Sequence, residues 1–279
     1  MNTALSKHRK TCLLAAVGSL MVATASHAAP PEYDCLIEPS QFIDIRSPVS
    51  GLIDKVHVER GQAVRKGMTL VTLESGVERS AAELARFRSG MVGAVQSANS
   101  RFAHADKKFK RKADLASKNY TSAQDKDEAE AEQQITQAEA LVAKENKQMA
   151  QLEYQFANAQ LAQRQLRSPI DGVVVEQSMN AGELAEPGDG KTSILKLART
   201  NPLRVKAILP VALYPQLKPG QKAEVAPEKP FSGRLSTTVT VVDQVIDAAS
   251  GTFQARMEIA NPTGALPGGI KCKVSFTGR

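Results

Sequence analysis

The sequence predicts an elongated, multi-module protein of mixed α and β structure, in which a small β-sandwich written as two halves is split by an inserted α-helical hairpin. Two observations carry this. The phrase RSPVSGLIDKVHVERGQAVRKG at 46–67 returns as RSPIDGVVVEQSMNAGELAEPG at 167–188, with Arg-Ser-Pro and three glycine pairs (Gly51 with Gly172, Gly61 with Gly182, Gly67 with Gly188) held at one fixed offset. Between the copies, residues 76–166 contain no proline and keep their apolar positions in a 4-3 alternation. A phrase that recurs around a different segment is an internal repeat with an insertion.

The N-terminus sets the compartment. MNTALSKHRK carries Lys7, Arg9 and Lys10, an apolar run follows from Leu13 to Ala25, and Ser26-His27-Ala28 supplies the small residues of a cleavage site. This reads as a secretory signal peptide over 1–28, cut after Ala28. The run is shorter than the roughly 20 residues that span a bilayer, and retention as an anchor is the alternative. Neither Cys12 nor Cys35 follows a lipobox-like run. The chain's formal charge of +7 falls once the signal's three cations are removed. The mild basicity that remains fits acidic partners or lipids in the envelope and not nucleic acid, which an exported chain rarely meets. Cys12 leaves with the signal. Cys35 and Cys272 then form an even count in an oxidising compartment, which reads as one disulfide, the alternative being two buried free thiols.

Each copy of the repeat opens on Ser-Pro and continues as short alternating strands punctuated by glycine. Leu52, Ile53, Val56 and Val58, then Leu70, Val71 and Leu73, form the first half over 46–75. Val173 to Val175, Met179 and Leu184, then Ile194, Leu195 and Leu197, form the second over 167–199. A unit of about 30 residues cannot bury a core alone, so the two halves are expected to pair.

The inserted segment 76–166 reads as two helical arms. On the first, the series is Val77, Ala81, Leu84, Arg88, Met91, Val95, Ala98, Phe102, Ala105, Phe109, Lys112; on the second it is Ile135, Ala138, Val142, Glu145, Met149, Leu152, Phe156, Ala159, Gln163, Leu166. A mean spacing of 3.5 is that of a coiled-coil seam. The break near Asn119-Tyr120-Thr121 makes an antiparallel hairpin whose arms each span about 63 Å. Gly90 and Gly93, each costing a helix about 1 kcal/mol, mark a flexible stretch. Thr121 with Gln124, or Ser122 with Asp125, makes a capping box at the turn. Lysines and Arg111 crowd one side of the tip and carboxylates the other.

Two half-motifs around a helical hairpin resemble the biotinyl/lipoyl fold as it occurs in periplasmic adaptor proteins, the membrane fusion proteins of the HlyD and RND-efflux class. LRVKAIL at 203–209, LKPGQ at 217–221, and Asn261-Pro262 followed by Leu266-Pro267-Gly268 resemble that family's β-barrel domain. The resemblance implies a split lipoyl-like sandwich, a β-barrel over 200–279, and a first barrel strand inside the segment 29–45. It also puts Cys35 and Cys272 in the first and last barrel strands. Arg111, Leu115 and Ser122 have the spacing of the tip motif by which such adaptors engage a TolC-type outer-membrane channel. The implied partners are that channel, an inner-membrane transporter of RND rather than ABC type, and further copies of the chain in a ring. A fourth, membrane-proximal domain is expected to be absent.

Rival functions fare less well. A carrier domain needs a modified lysine on a tight turn, but Leu73-Glu74-Ser75-Gly76 stands there instead. Gly188-Asp189-Gly190-Lys191-Thr192 imitates a phosphate loop, yet Ala185 occupies its first glycine position and no helix follows. His57 and His104 neighbour no nucleophile, and the mature methionines are scattered. No enzyme, metal site or cofactor is expected. The remaining alternative is an exported coiled-coil scaffold that binds lipid or peptidoglycan without a transporter.

Overall fold

The structure, a computed structural model, describes residues 31–188 and 193–277. The expected signal segment 1–28 with its cleavage after Ala28, and residues 189–192 of the phosphate-loop imitation, lie outside the described residues.

The first half of the repeat folds as β2 (Gly51–Val56), β3 (Ala63–Val64) and β4 (Thr69–Leu73), and the second as β5 (Gln165–Arg167), β6 (Gly172–Gln177) and β7 (Leu184–Ala185). Every one of these strands pairs with the other half. Thr69 faces Arg167, Gly51 faces Ala185, and Ala63 faces Val173. The core is shared in the same way, with Ile53, Leu70 and Leu73 from one copy packed with Val174, Ile194, Leu195 and Leu197 from the other. Each such side chain contributes about 1.5–3 kcal/mol on full burial, and neither half presents enough of them to stand alone.

The recurring phrase has a physical cause at several positions. Ser47 and Ser168 are both buried, and their hydroxyls donate to the carbonyls of Val49 and Ile170 at 2.5 and 2.6 Å, closing equivalent Ser-Pro turns. Gly61 and Gly182 hold equivalent left-handed backbones, φ 87° and 89°, where a side chain would be strained. Gly172 is required for a different reason: a Cβ there would collide with the Ala198 carbonyl of the adjoining strand.

A closed barrel is formed by β1 (Tyr33–Ile45), β8 (Leu195–Pro210), β9 (Lys222–Pro227), β10 (Leu235–Val242), β11 (Thr252–Ile259) and β12 (Ile270–Phe276). The strand order is β1-β12-β9-β10-β11-β8, and a β1–β8 pairing closes it. Inward positions of these strands, among them Ile37, Val205, Leu209, Val225, Phe253 and Val274, make a second core.

The expected division at residues 199 and 200 falls inside a strand. β8 is one continuous strand of 16 residues whose start pairs with β6 in the sandwich and whose end pairs with β11 in the barrel. Likewise β1 is not only a barrel strand. Residues Gln41–Ile45 pair with Arg199–Leu195 at the sandwich, beyond a bulge at Pro39/Gln41. The long β1–β8 ribbon belongs to both modules, so they share backbone hydrogen bonds and not merely a linker.

The hairpin leaves the sandwich from two adjacent strands. α1 (Gly76–Gly90) follows β4, α2 (Gly93–Ser117) completes the outward arm, and α3 (Ala123–Ala162) returns to β5. The first arm breaks at Met91-Val92 between the two glycines, where Met91 takes an extended backbone. Among the described residues, no helix is long and apolar enough to cross a membrane.

The seam between the arms also differs from the expected one. In α2 it runs along the predicted column, through Val95, Ala98, Phe102, Ala105 and Phe109. In α1 and α3 it lies one residue over, on Ala82 and Ala85, and on Ala129, Ala140, Ala143, Ala150 and Ala157. The large members of the predicted series, Val77, Leu84, Met91, Ile135, Val142, Met149, Leu152 and Phe156, are exposed. Alanine lets two helix backbones approach closely, and the bulky residues are left on the flanks of the groove.

Candidate functional site

The tip of the hairpin is built by two helix-end devices placed back to back. α2 closes in a Schellman motif: Asn119 adopts a left-handed backbone with φ 61°, its N–H donates to Ala116 O at 3.0 Å, and the Tyr120 N–H donates to Leu115 O at 2.9 Å. These bonds satisfy carbonyls that a helix end otherwise leaves open. Two residues later α3 opens on a capping box. The Ser122 hydroxyl accepts from Asp125 N at 3.1 Å, and the Asp125 carboxylate accepts from Ser122 N at 3.3 Å. Of the two predicted boxes, Ser122 with Asp125 forms.

Asp125 is the electrostatic centre of the turn. Its carboxylate also accepts from the hydroxyls of Ser122 at 2.6 Å and Thr121 at 3.0 Å, and from Lys112 Nζ of the opposite arm at 3.1 Å. The Ser122 hydroxyl, then Lys112 and Thr121, hold its pKa far below the usual carboxylate range. A depressed pKa means that the stabilisation is fully present above the unfolded value, about 3.9, and is lost as pH falls through the folded one. We therefore expect the tip to be unchanged from pH 7 to pH 5 and to loosen only well below pH 4. Asp125→Asn should loosen it at neutral pH. Amide exchange of residues 119–126 measures both; equal protection at pH 7 in the variant would refute the account.

The three predicted docking residues occupy one end of the rod, with Arg111 and Leu115 one turn apart on α2 and Ser122 at the start of α3. Leu115 is 40% exposed, at the C3 position of the Schellman motif. Ser122 is engaged as the N-cap described above. Arg111 is exposed and makes no ion pair among the described residues: Asp114 is taken by Lys118 at 2.8 Å and Asp125 by Lys112. Across the arms, Lys108 pairs with Glu132 and Arg101 with Glu139 at 3.6 Å. Exposed pairs of this kind contribute well under about 1 kcal/mol each, so they fix register more than they add stability.

At the root of the rod, Arg164 ties three segments together. Its guanidinium donates to Glu78 of α1 at 2.6 Å and to the Ser50 carbonyl at 2.8 Å. A Cβ on Gly51 would lie 2.5 Å from that guanidinium, so Gly51 makes room for this tie. The Gly76 N–H is likewise fixed, donating to the Glu74 carboxylate at 2.8 Å. Arg164 was not legible from local pattern, because its partners are remote in the chain.

Along the rod, an apolar groove of about 770 Å³ runs between the arms, lined by Met91, Val95, Ala98, Ile135, Val142 and their neighbours. In the barrel, Cys35 and Cys272 stand at directly paired positions of β1 and β12 with sulfurs 2.11 Å apart. Among the described residues, no group of three or more His, Cys, Asp or Glu side chains could hold a metal ion.

Residues 41–198 match the family model of the CzcB-like barrel-sandwich hybrid domain, and residues 202–279 that of the CusB-like β-barrel domain. The chain is 26% identical over 188 residues to the pyoverdine export membrane fusion protein PvdR of Pseudomonas aeruginosa, covering 67% of this chain and 48% of that protein. It is 27% identical over 243 residues to the multidrug resistance protein MdtE of Escherichia coli, covering 82% of this chain and 60% of that one. The chain thus matches about half to three fifths of these relatives' lengths. The crystal structure of MacA from Actinobacillus actinomycetemcomitans superposes with a TM-score of 0.70 at 22% identity, over 89% of this chain and 78% of that one, a likeness of fold.

Proposed function

Because this chain belongs to the membrane fusion proteins, through a CzcB-like barrel-sandwich hybrid domain that takes in most of it, we propose that it is a periplasmic adaptor joining an inner-membrane transporter to a TolC-type outer-membrane channel. Its action is assembly and not chemistry. Copies stand side by side as a ring, the hairpins forming a coiled-coil wall through which small molecules leave the cell. The transporter is of RND type, a reading supported by the RND-class barrel model that matches residues 202–279. The barrel is clamped by a Cys35–Cys272 disulfide.

One observation carries the reading. The large apolar residues of the hairpin lie exposed along the flanks of both arms in a single chain. Contiguous apolar surface of this extent marks an interaction face, and two different arms offer the two different faces that a ring needs. The segregated charge at the tip and the unpaired Arg111 support a second contact at the end of the rod.

A photoreactive residue at position 115, activated in cells, tests the assignment. The expected result is an adduct with an outer-membrane channel that disappears in Arg111→Asp. A periplasmic monomer that forms no adduct would favour a free-standing envelope scaffold instead.

A further inference from the structure

We propose that Tyr120 is the anchor of the tip, its ring entering an apolar recess of the outer-membrane channel while Arg111 meets an acceptor on the recess rim. This rests on the adaptor reading above and adds a residue that the Arg111, Leu115 and Ser122 motif does not contain.

The backbone on either side of Tyr120 is fixed. Its own N–H is spent on Leu115 O, Asn119 before it is held left-handed, and Ser122 after it opens the capping box. A Schellman motif brings its C″ and C3 side chains, here Tyr120 and Leu115, to the same side of the helix end. On this rigid mount Tyr120 is 77% exposed. The chain has four tyrosines and no tryptophan, and the other three are used internally. Tyr33 packs near Phe276 at 6.1 Å, Tyr214 meets Phe253 edge-on at 5.3 Å, and Tyr154 is half-buried between the arms. The Tyr120 hydroxyl has no partner among the described residues.

An aromatic ring with few rotatable bonds, held out by a pre-ordered turn, is the side chain that loses least entropy on docking. Tyrosine and arginine are also the residues in which interface energy concentrates. Arg111 lies one turn before Leu115, unpaired, while its neighbours Lys110, Lys112 and Lys118 all hold carboxylates. An apolar pair beside one free guanidinium fits a protein recess rimmed by carboxylates or carbonyls. A second copy meeting tip to tip is the competing occupant, and the test below separates it from the channel.

The test places the photoreactive residue at Lys118, outside the proposed contact, in chains carrying Tyr120, Tyr120→Ala or Tyr120→Phe. Thermal midpoints serve as the folding control, and they should agree because the ring is solvent-exposed. The proposal expects the channel adduct to fall at least ten-fold in Tyr120→Ala and to persist in Tyr120→Phe. An undiminished adduct in Tyr120→Ala overturns the anchor and leaves the adaptor function standing. An adduct formed only with another copy of this chain overturns the anchor in favour of tip-to-tip contact. Failure of the Tyr120 chain itself to form any adduct overturns the adaptor reading, and the anchor with it.

Discussion

Replacing Cys35 and Cys272 together by alanine should lower the stability of the barrel by about 5 kcal/mol. The two residues are separated by 237 positions. Loop-closure entropy for a cross-link of that span reaches roughly 5 kcal/mol at 25 °C, nearly all of it through the unfolded chain. Both residues are buried and lie at facing positions of β1 and β12, so alanine removes little volume and the folded barrel should keep its shape. For a chain of this size, a loss of that order lowers the melting temperature by about 10–20 °C. Thermal unfolding of the double variant beside the oxidised parent measures it. A shift of only a degree or two would mean that the unfolded chain is not held by this link, and the proposed clamp would fail.

Charging the exposed stripe should abolish assembly while leaving the single chain intact. Val142, Met149 and Phe156 follow one another along α3, and Phe156 is 66% exposed. Replacing all three by glutamate costs the folded monomer little, because surface changes away from packed contacts fall within about 0.5 kcal/mol each. In a ring, the same positions would lie against the neighbouring arm. Three unpaired carboxylates would then be stripped of water, at a cost of several kcal/mol each, enough to dissociate the ring at least 100-fold. Analytical ultracentrifugation, with circular dichroism to confirm the helices, decides between the outcomes. An unchanged oligomer distribution would show that copies meet elsewhere.

The two predictions draw on different layers of information. The pairing of the half-motifs, the insertion of the rod and the place of its turn follow from local pattern. Repeated glycines report repeated backbone geometry, and a long proline-free 4-3 spacing leaves an extended chain little alternative to helix. Ser122 and Asp125 were legible as a cap because a capping box is written within four residues. Arg111 and Leu115 were legible only by likeness of spacing, and Tyr120 only as part of a break.

By itself, then, the sequence determined the order of modules, the two-fold writing of the sandwich, the length of the hairpin and the residues at its tip, all of which depend on near neighbours in the chain. Tertiary structure decided the rest. In α1 and α3 it chose the alanine column over the bulky one for the inter-arm seam, since both columns keep the same period and only close approach of two backbones tells them apart. It ran β1 and β8 through both the sandwich and the barrel, across the boundary between the two modules. It gave Asp125 to Lys112 and left Arg111 free, and it joined Arg164 to Glu78 and Ser50. Each of these is a choice between partners far apart in sequence, fixed only when packing brings one of them within reach.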